Sequence, residues 1–149
     1  MTGERAERFV VLNLRLLAAS FAVVGILFIA TPDGVLEAIT DFGAWLPLGS
    51  FSPAPDTVEK FWLALGFAYM VVIAGICVVV QADVVRYRPL LGVLAVGKAA
   101  SSLAALGFYL FDDDVFIYLL NFIVDGFLVG VSLLLWSIAG RIGVPAAPS

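Results

Sequence analysis

The sequence predicts an all-α integral membrane protein, a bundle of four transmembrane helices, on three observations. Hydrophobic residues make up 62% of the chain and charged residues 13%, where a soluble domain carries roughly a quarter charged residues. A soluble chain of 149 residues has too much surface for its volume to hide that many apolar side chains. Four apolar stretches, about 9–30, 61–80, 89–111 and 115–138, are each long enough to cross a hydrocarbon core, which takes about 20 residues of helix. The basic residues gather on one side of these stretches, as the positive-inside rule requires of a multi-pass protein.

The first span, Phe9 to Ala30, is too long for the apolar region of a signal peptide and lacks a small-residue cleavage site, so it is expected to remain as an anchor. Thr31-Pro32-Asp33-Gly34 stops it. In the connection that follows, Val35, Leu36, Ile39 and Phe42 share a helical face, with Thr31 placed as N-cap and Pro32 in the first turn. The expectation is a short helix lying on the outer membrane surface. An irregular stretch through Trp45, Pro47, Pro53 and Pro55 follows.

The second span, Phe61 to Val80, contains Cys77, the one cysteine, and the chain has no His. That composition excludes disulfides within the chain, Cys-x-x-Cys redox chemistry and His-ligated haem or zinc, so no cofactor and no metal are expected. Pro89 opens the third span where a missing N–H is harmless. Only Asp112-Asp113-Asp114 separates it from the fourth, which makes the last two spans an antiparallel hairpin. Gly140, Gly143 and Pro145 end the fourth span, and the Ala/Pro/Ser tail, 144–149, is expected to be disordered. Trp45, Trp62 and Trp136 fall near the interfaces, where aromatic rings anchor. No internal repeat of the kind that builds transporters is visible.

Arg5, Arg8, Arg86, Arg88 and Arg141 lie on one side, with Arg15 just inside the first span. The other side has Lys60 alone against Asp33, Glu37, Asp41, Asp56, Glu59 and the triple Asp. Both termini are therefore expected in the cytoplasm. The net charge of −4 reflects this sidedness and does not mark an acidic soluble protein. The few exposed basic residues are accounted for by topology, which excludes a nucleic-acid partner.

Two ionisable residues lie near mid-membrane, Lys98 in the third span and Asp125 in the fourth. Each is about ten residues into its helix, so at about 1.5 Å per residue they share a depth. A lone charge there costs several kcal/mol, and pairing is the natural solution. Ser101 and Ser102 follow Lys98 on its face; Tyr118, Asn121 and Ser132 share the stripe of Asp125. Arg15 and Asn13 on the first span and Tyr69 on the second extend this into a polar seam. Two readings compete: a hydrogen-bonded ion pair that fixes helix register, or a site for a proton, ion or polar substrate. Gly126-x-x-x-Gly130, with Gly97, Ser101 and Ala105 on the preceding helix, is a small-residue packing pattern.

Three tempting motifs fail. Gly92 to Ala99 resembles a phosphate-binding loop, but Ala99 replaces the Mg-binding hydroxyl and the backbone N–H groups are spent inside a helix. Lys98 with Ser101 or Ser102 suggests a Ser–Lys dyad, yet nothing supplies an oxyanion hole. Three successive Asp residues do not easily converge on one calcium ion.

The Pro-terminated first helix (Gly25 to Pro32), the Gly-containing second (Phe61-Trp62-Leu63-Ala64-Leu65-Gly66-Phe67-Ala68-Tyr69-Met70) and the basic-then-acidic pair on the last two resemble small DoxX-like membrane proteins. The resemblance covers most of the chain in layout. It implies Arg and Glu where this chain has Lys98 and Asp125, and it implies a fold more than an activity. The functional expectation is a non-enzymatic accessory subunit in a bacterial cytoplasmic membrane, with the lipid bilayer and a membrane-protein partner or a second copy as its contacts. The alternative is a small transporter or a lipid- or small-molecule-binding protein that uses the Lys98/Asp125 seam. A membrane-embedded enzyme would need a pocket joining Arg15, Lys98, Tyr118 and Asp125.

Overall fold

The computed structural model describes residues 3–48, 50–54 and 60–142. Among them are five helices: α1 (Gly3–Ala30), α2 (Pro32–Trp45), α3 (Lys60–Ala82), α4 (Pro89–Phe111) and α5 (Phe116–Ala139). α1, α3, α4 and α5 are long and apolar enough to cross a membrane, and the protein is a multi-pass membrane protein of all-helical build. The tail 144–149, with Pro55, Asp56, Glu59, Gly143 and Pro145, lies outside the described residues.

Two helices depart from the expected bounds, for local reasons. α1 starts at Gly3, six residues before the apolar stretch, because Glu, Arg and Ala are good helix formers and Glu4 complements the positive end of the helix. α2 continues through Trp45 and stops at Leu46, whose extended backbone (φ −79°, ψ 143°) is what a following proline imposes. Thr31 occupies the cap position but makes no capping bond; its hydroxyl donates to Leu27 O of α1 (3.2 Å). Pro32 at the helix start needs no such partner for its nitrogen.

The long helices pack as two antiparallel pairs, α1 with α3 and α4 with α5, with much thinner contact between the pairs. In the first pair the chains meet at Gly25, where a Cβ would stand 3.1 Å from Met70 Cβ and 3.5 Å from the Phe67 ring. In the second, Arg88 ties the start of α4 to the end of α5. Its Nε donates to Trp136 O (2.9 Å), its guanidinium lies 4.1 Å from the Trp136 ring centre, and Gly140 leaves it room. A cation at a helix C-terminus also answers the negative end of the dipole.

The main core occupies the end of the bundle that holds both described termini. Val10, Leu14 and Phe21 meet Ile73, Cys77, Val80, Val84, Leu91, Leu94, Leu135 and Ala139 there. At the far end α2 lies against the start of α5: a Cβ on Gly43 would sit 2.5 Å from Phe116 Cγ, and Phe42 and Phe51 pack on the same ring. Ser52 Oγ donates to Asp114 Oδ1, and Ser52 forms an isolated bridge with Val115. Outward, Val96 and Phe127 are each 70% exposed, and hydrocarbon is the solvent that such faces require.

Candidate functional site

Lys98 is the tenth residue of α4 and Asp125 the tenth of α5, so two antiparallel helices of equal reach bring them level. Lys98 Nζ donates to Asp125 Oδ1 at 2.9 Å, and the two side chains are only 3% and 6% exposed. The ammonium also faces the Phe21 ring of α1 (4.5 Å to its centre) and the Tyr69 ring of α3 (5.1 Å). One side chain thus touches all three other long helices, at the place where the two pairs are otherwise thinly joined. A ring face is worth about 0.5–2 kcal/mol to a cation, more as water is excluded. Losing either charge strands the other in a medium of low dielectric.

Around the ion pair, Ser102 Oγ donates across to Phe122 O (2.8 Å), and Asn121 Nδ2 donates to Ser101 Oγ (3.3 Å). Gly126 admits this contact, since a Cβ there would lie 3.3 Å from Ser102 Oγ. The Tyr69 hydroxyl is buried beside the pair with no hydrogen-bond partner among the described residues. Gly97 borders it, 3.5 Å from where its Cβ would be. Burial of an unsatisfied hydroxyl is unusual and asks for an explanation.

The rest of the seam disperses. Asn13 Nδ2 donates to Phe9 O of its own helix (2.8 Å), and buried Ser132 donates to Leu128 O (2.8 Å). In a helix interior such residues satisfy themselves this way without reaching a neighbour. Tyr118 packs against Phe108 (5.7 Å between centres), and Arg15 is exposed on α1. Arg15 lies six residues before Phe21 on α1 and Tyr118 seven residues before Asp125 on α5, each about 10 Å along its helix from the level of the ion pair, so the four side chains are spread along the bundle. Of the small-residue pattern, Gly126 packs on α4, whereas a Cβ on Gly130 would meet nothing within 4 Å and Gly97 faces Tyr69 of α3. Gly130 lies on nearly the same face one turn further on, but it is exposed and carries no such contact.

Phe21 is the member of the site that polarity could not reveal. Its only sequence signal is an aromatic ring in the first span at roughly the depth of Lys98. No three His, Cys, Asp or Glu side chains converge as metal ligands among the described residues. Comparison with protein-family models, curated proteins and solved structures finds no match to this chain.

Proposed function

We propose that the protein is a non-enzymatic accessory subunit of a membrane assembly, lying in a bacterial cytoplasmic membrane with both termini inside and α2 on the outer surface. The observation that carries this reading is the closed ion pair. Lys98 and Asp125 neutralise each other at 3% and 6% exposure, and aromatic rings from α1 and α3 cover the ammonium. A charge that is to bind or move a substrate has to be reachable; this pair is built to hold four helices in register. The layout shared with DoxX-like proteins supports the bundle and adds no activity.

The test is native mass spectrometry of the protein released gently from its own membrane. A stoichiometric partner subunit is the expected result, and a monomer or homodimer with no partner overturns it. Labelling of single cysteines placed at Asp113 and at Arg5 checks the orientation, with only the former reached from outside.

A second reading, a small transporter or carrier, is favoured by one observation, the unpartnered Tyr69 hydroxyl beside the pair. It requires substrate movement in liposomes that disappears in Lys98→Ala and in Asp125→Ala.

A further inference from the structure

The corner where α5 ends beside the start of α4 holds a guanidinium that is fixed in place but not saturated. Arg88 Nε donates to Trp136 O (2.9 Å), and the group lies 4.1 Å from the centre of the Trp136 ring. Gly140 bounds it one turn further on. A Cβ there would stand 2.5 Å from the guanidinium carbon and 2.7 and 2.8 Å from its terminal nitrogens. A guanidinium presents its N–H donors as a planar fork. Among the described residues only the Nε–H of this one has a partner.

Two further arginines stand beside it. Arg141 follows Gly140, so its Cα lies within about 8 Å of the Arg88 guanidinium, inside the reach of an arginine side chain. Arg86 lies in the turn that leads into Arg88. The one carboxylate of that turn, Asp83, accepts the Arg86 backbone N–H (2.9 Å). Glu4 and Glu7 at the start of α1 are matched by Arg5 and Arg8, and no carboxylate pairs with Arg88 or Arg141 among the described residues. The C-terminus of α5 supplies roughly half a negative charge, which does not offset three arginines. The corner is therefore cationic, and it spans two helices.

Deeper in the membrane the same corner turns apolar. Leu133, one turn before Trp136, is 48% exposed, and a Cβ on Gly92, one turn after Arg88, would meet nothing within 4 Å. That leaves an apolar run for an acyl chain below the guanidinium. We infer that this corner binds the phosphate of an anionic phospholipid of the phosphatidylglycerol type, in the leaflet at the basic end of the bundle. The free edge of Arg88 grips the phosphate through two N–H groups, and Arg141 closes on it from α5. A headgroup ending in an amine would bring an ammonium into the field of three arginines, whereas one ending in glycerol brings none. The site stands on the α4–α5 corner and does not depend on an accessory role.

The test uses the full chain in lipid discs of equimolar phosphatidylglycerol and phosphatidylethanolamine, with retained lipids counted by native mass spectrometry. The wild type should retain phosphatidylglycerol about fivefold over phosphatidylethanolamine, the scale of one interfacial arginine's attraction to anionic lipid. Arg141→Gln should remove most of that preference. Gly140→Ala keeps every charge but drives the Arg88 guanidinium off its seat, and it should remove the preference too. SDS-unfolding midpoints show whether each variant is folded; Arg141→Gln, at an exposed residue, carries the test alone should Gly140→Ala fail to fold. Equal or inverted retention by the wild type overturns the inference, and so does an Arg141→Gln variant that retains lipid as before. A folded Gly140→Ala variant with the wild-type preference also overturns it, by reducing the arginines to a diffuse field. Millimolar inorganic phosphate should leave lipid retention unchanged. A phosphate adduct on protein that retains no phosphatidylglycerol overturns the inference, by assigning the corner to a free anion.

Discussion

The two helix pairs are held together by different physics. α1 and α3 meet through apolar surfaces, with Gly25 letting the backbone close on Met70 and Phe67. α4 and α5 are joined by Lys98–Asp125, Ser102 to Phe122 O, Asn121 to Ser101 and Arg88 to Trp136 O. In a bilayer, lipid tails are as apolar as leucine, so greasy faces gain little by meeting each other. The first pair must rely on closeness of fit and the second on polar groups with no other partner. Lys98 crosses this division, because its ammonium also lies on Phe21 and Tyr69.

The largest way to break the second pair is to strand its charge. Asp125→Ala should destabilise the protein by about 3–5 kcal/mol, the range for an unpaired buried charge, measured by SDS-driven unfolding in mixed micelles. Lys98→Met combined with Asp125→Leu should recover most of that loss, since apolar residues of similar volume replace a buried pair at little cost. If the double variant is as unstable as the single, the pair contributes more than charge cancellation.

The first pair should break by crowding. Gly25→Leu forces a branched side chain against Met70 Cβ, already 3.1 Å from an added Cβ, and should cost about 1–3 kcal/mol by overpacking. A cysteine crosslink between α1 and α3 would weaken while one between α4 and α5 held. Equal loss of both crosslinks would mean the pairs fold as one unit.

The bridge between the pairs can be isolated by a double-mutant cycle. Phe21→Leu should cost about 1–2 kcal/mol in the wild type, from lost ring contact with the ammonium and lost volume. The ring-to-ammonium part should vanish when Lys98 is already Met and Asp125 already Leu, leaving only the volume part.

Much of this arrangement was legible in the residues, and the division shows where legibility ends. Hydropathy runs show four spanning helices because the bilayer imposes a length. Equal depth from opposite ends places Lys98 against Asp125 without any knowledge of packing. What depth does not give is azimuth. Ser132 and Tyr118 share the stripe of Asp125, and Asn13 extends the polar seam onto α1, yet they turn to their own backbone or to Phe108. Gly130 repeats the small-residue spacing on a face where no chain arrives. Phe21 carries no mark in the sequence, because a ring's affinity for a cation is silent until the cation lies on it. The extra turns of α1 escaped because they are helical without being apolar.

The smallest effect separates the two functional readings of the junction. Tyr69→Phe keeps the ring face on Lys98 and removes only the hydroxyl that has no partner among the described residues. An unsatisfied buried hydroxyl penalises the folded state by at least about 1 kcal/mol, so the variant should be more stable by about that amount. Destabilisation would mean the hydroxyl has a partner in the membrane, a water or a polar ligand held beside Lys98 and Asp125. The sign of this change therefore decides more than its size. A gain leaves the junction a sealed register lock between apolar and polar helix pairs, and a loss opens it to a carrier's chemistry.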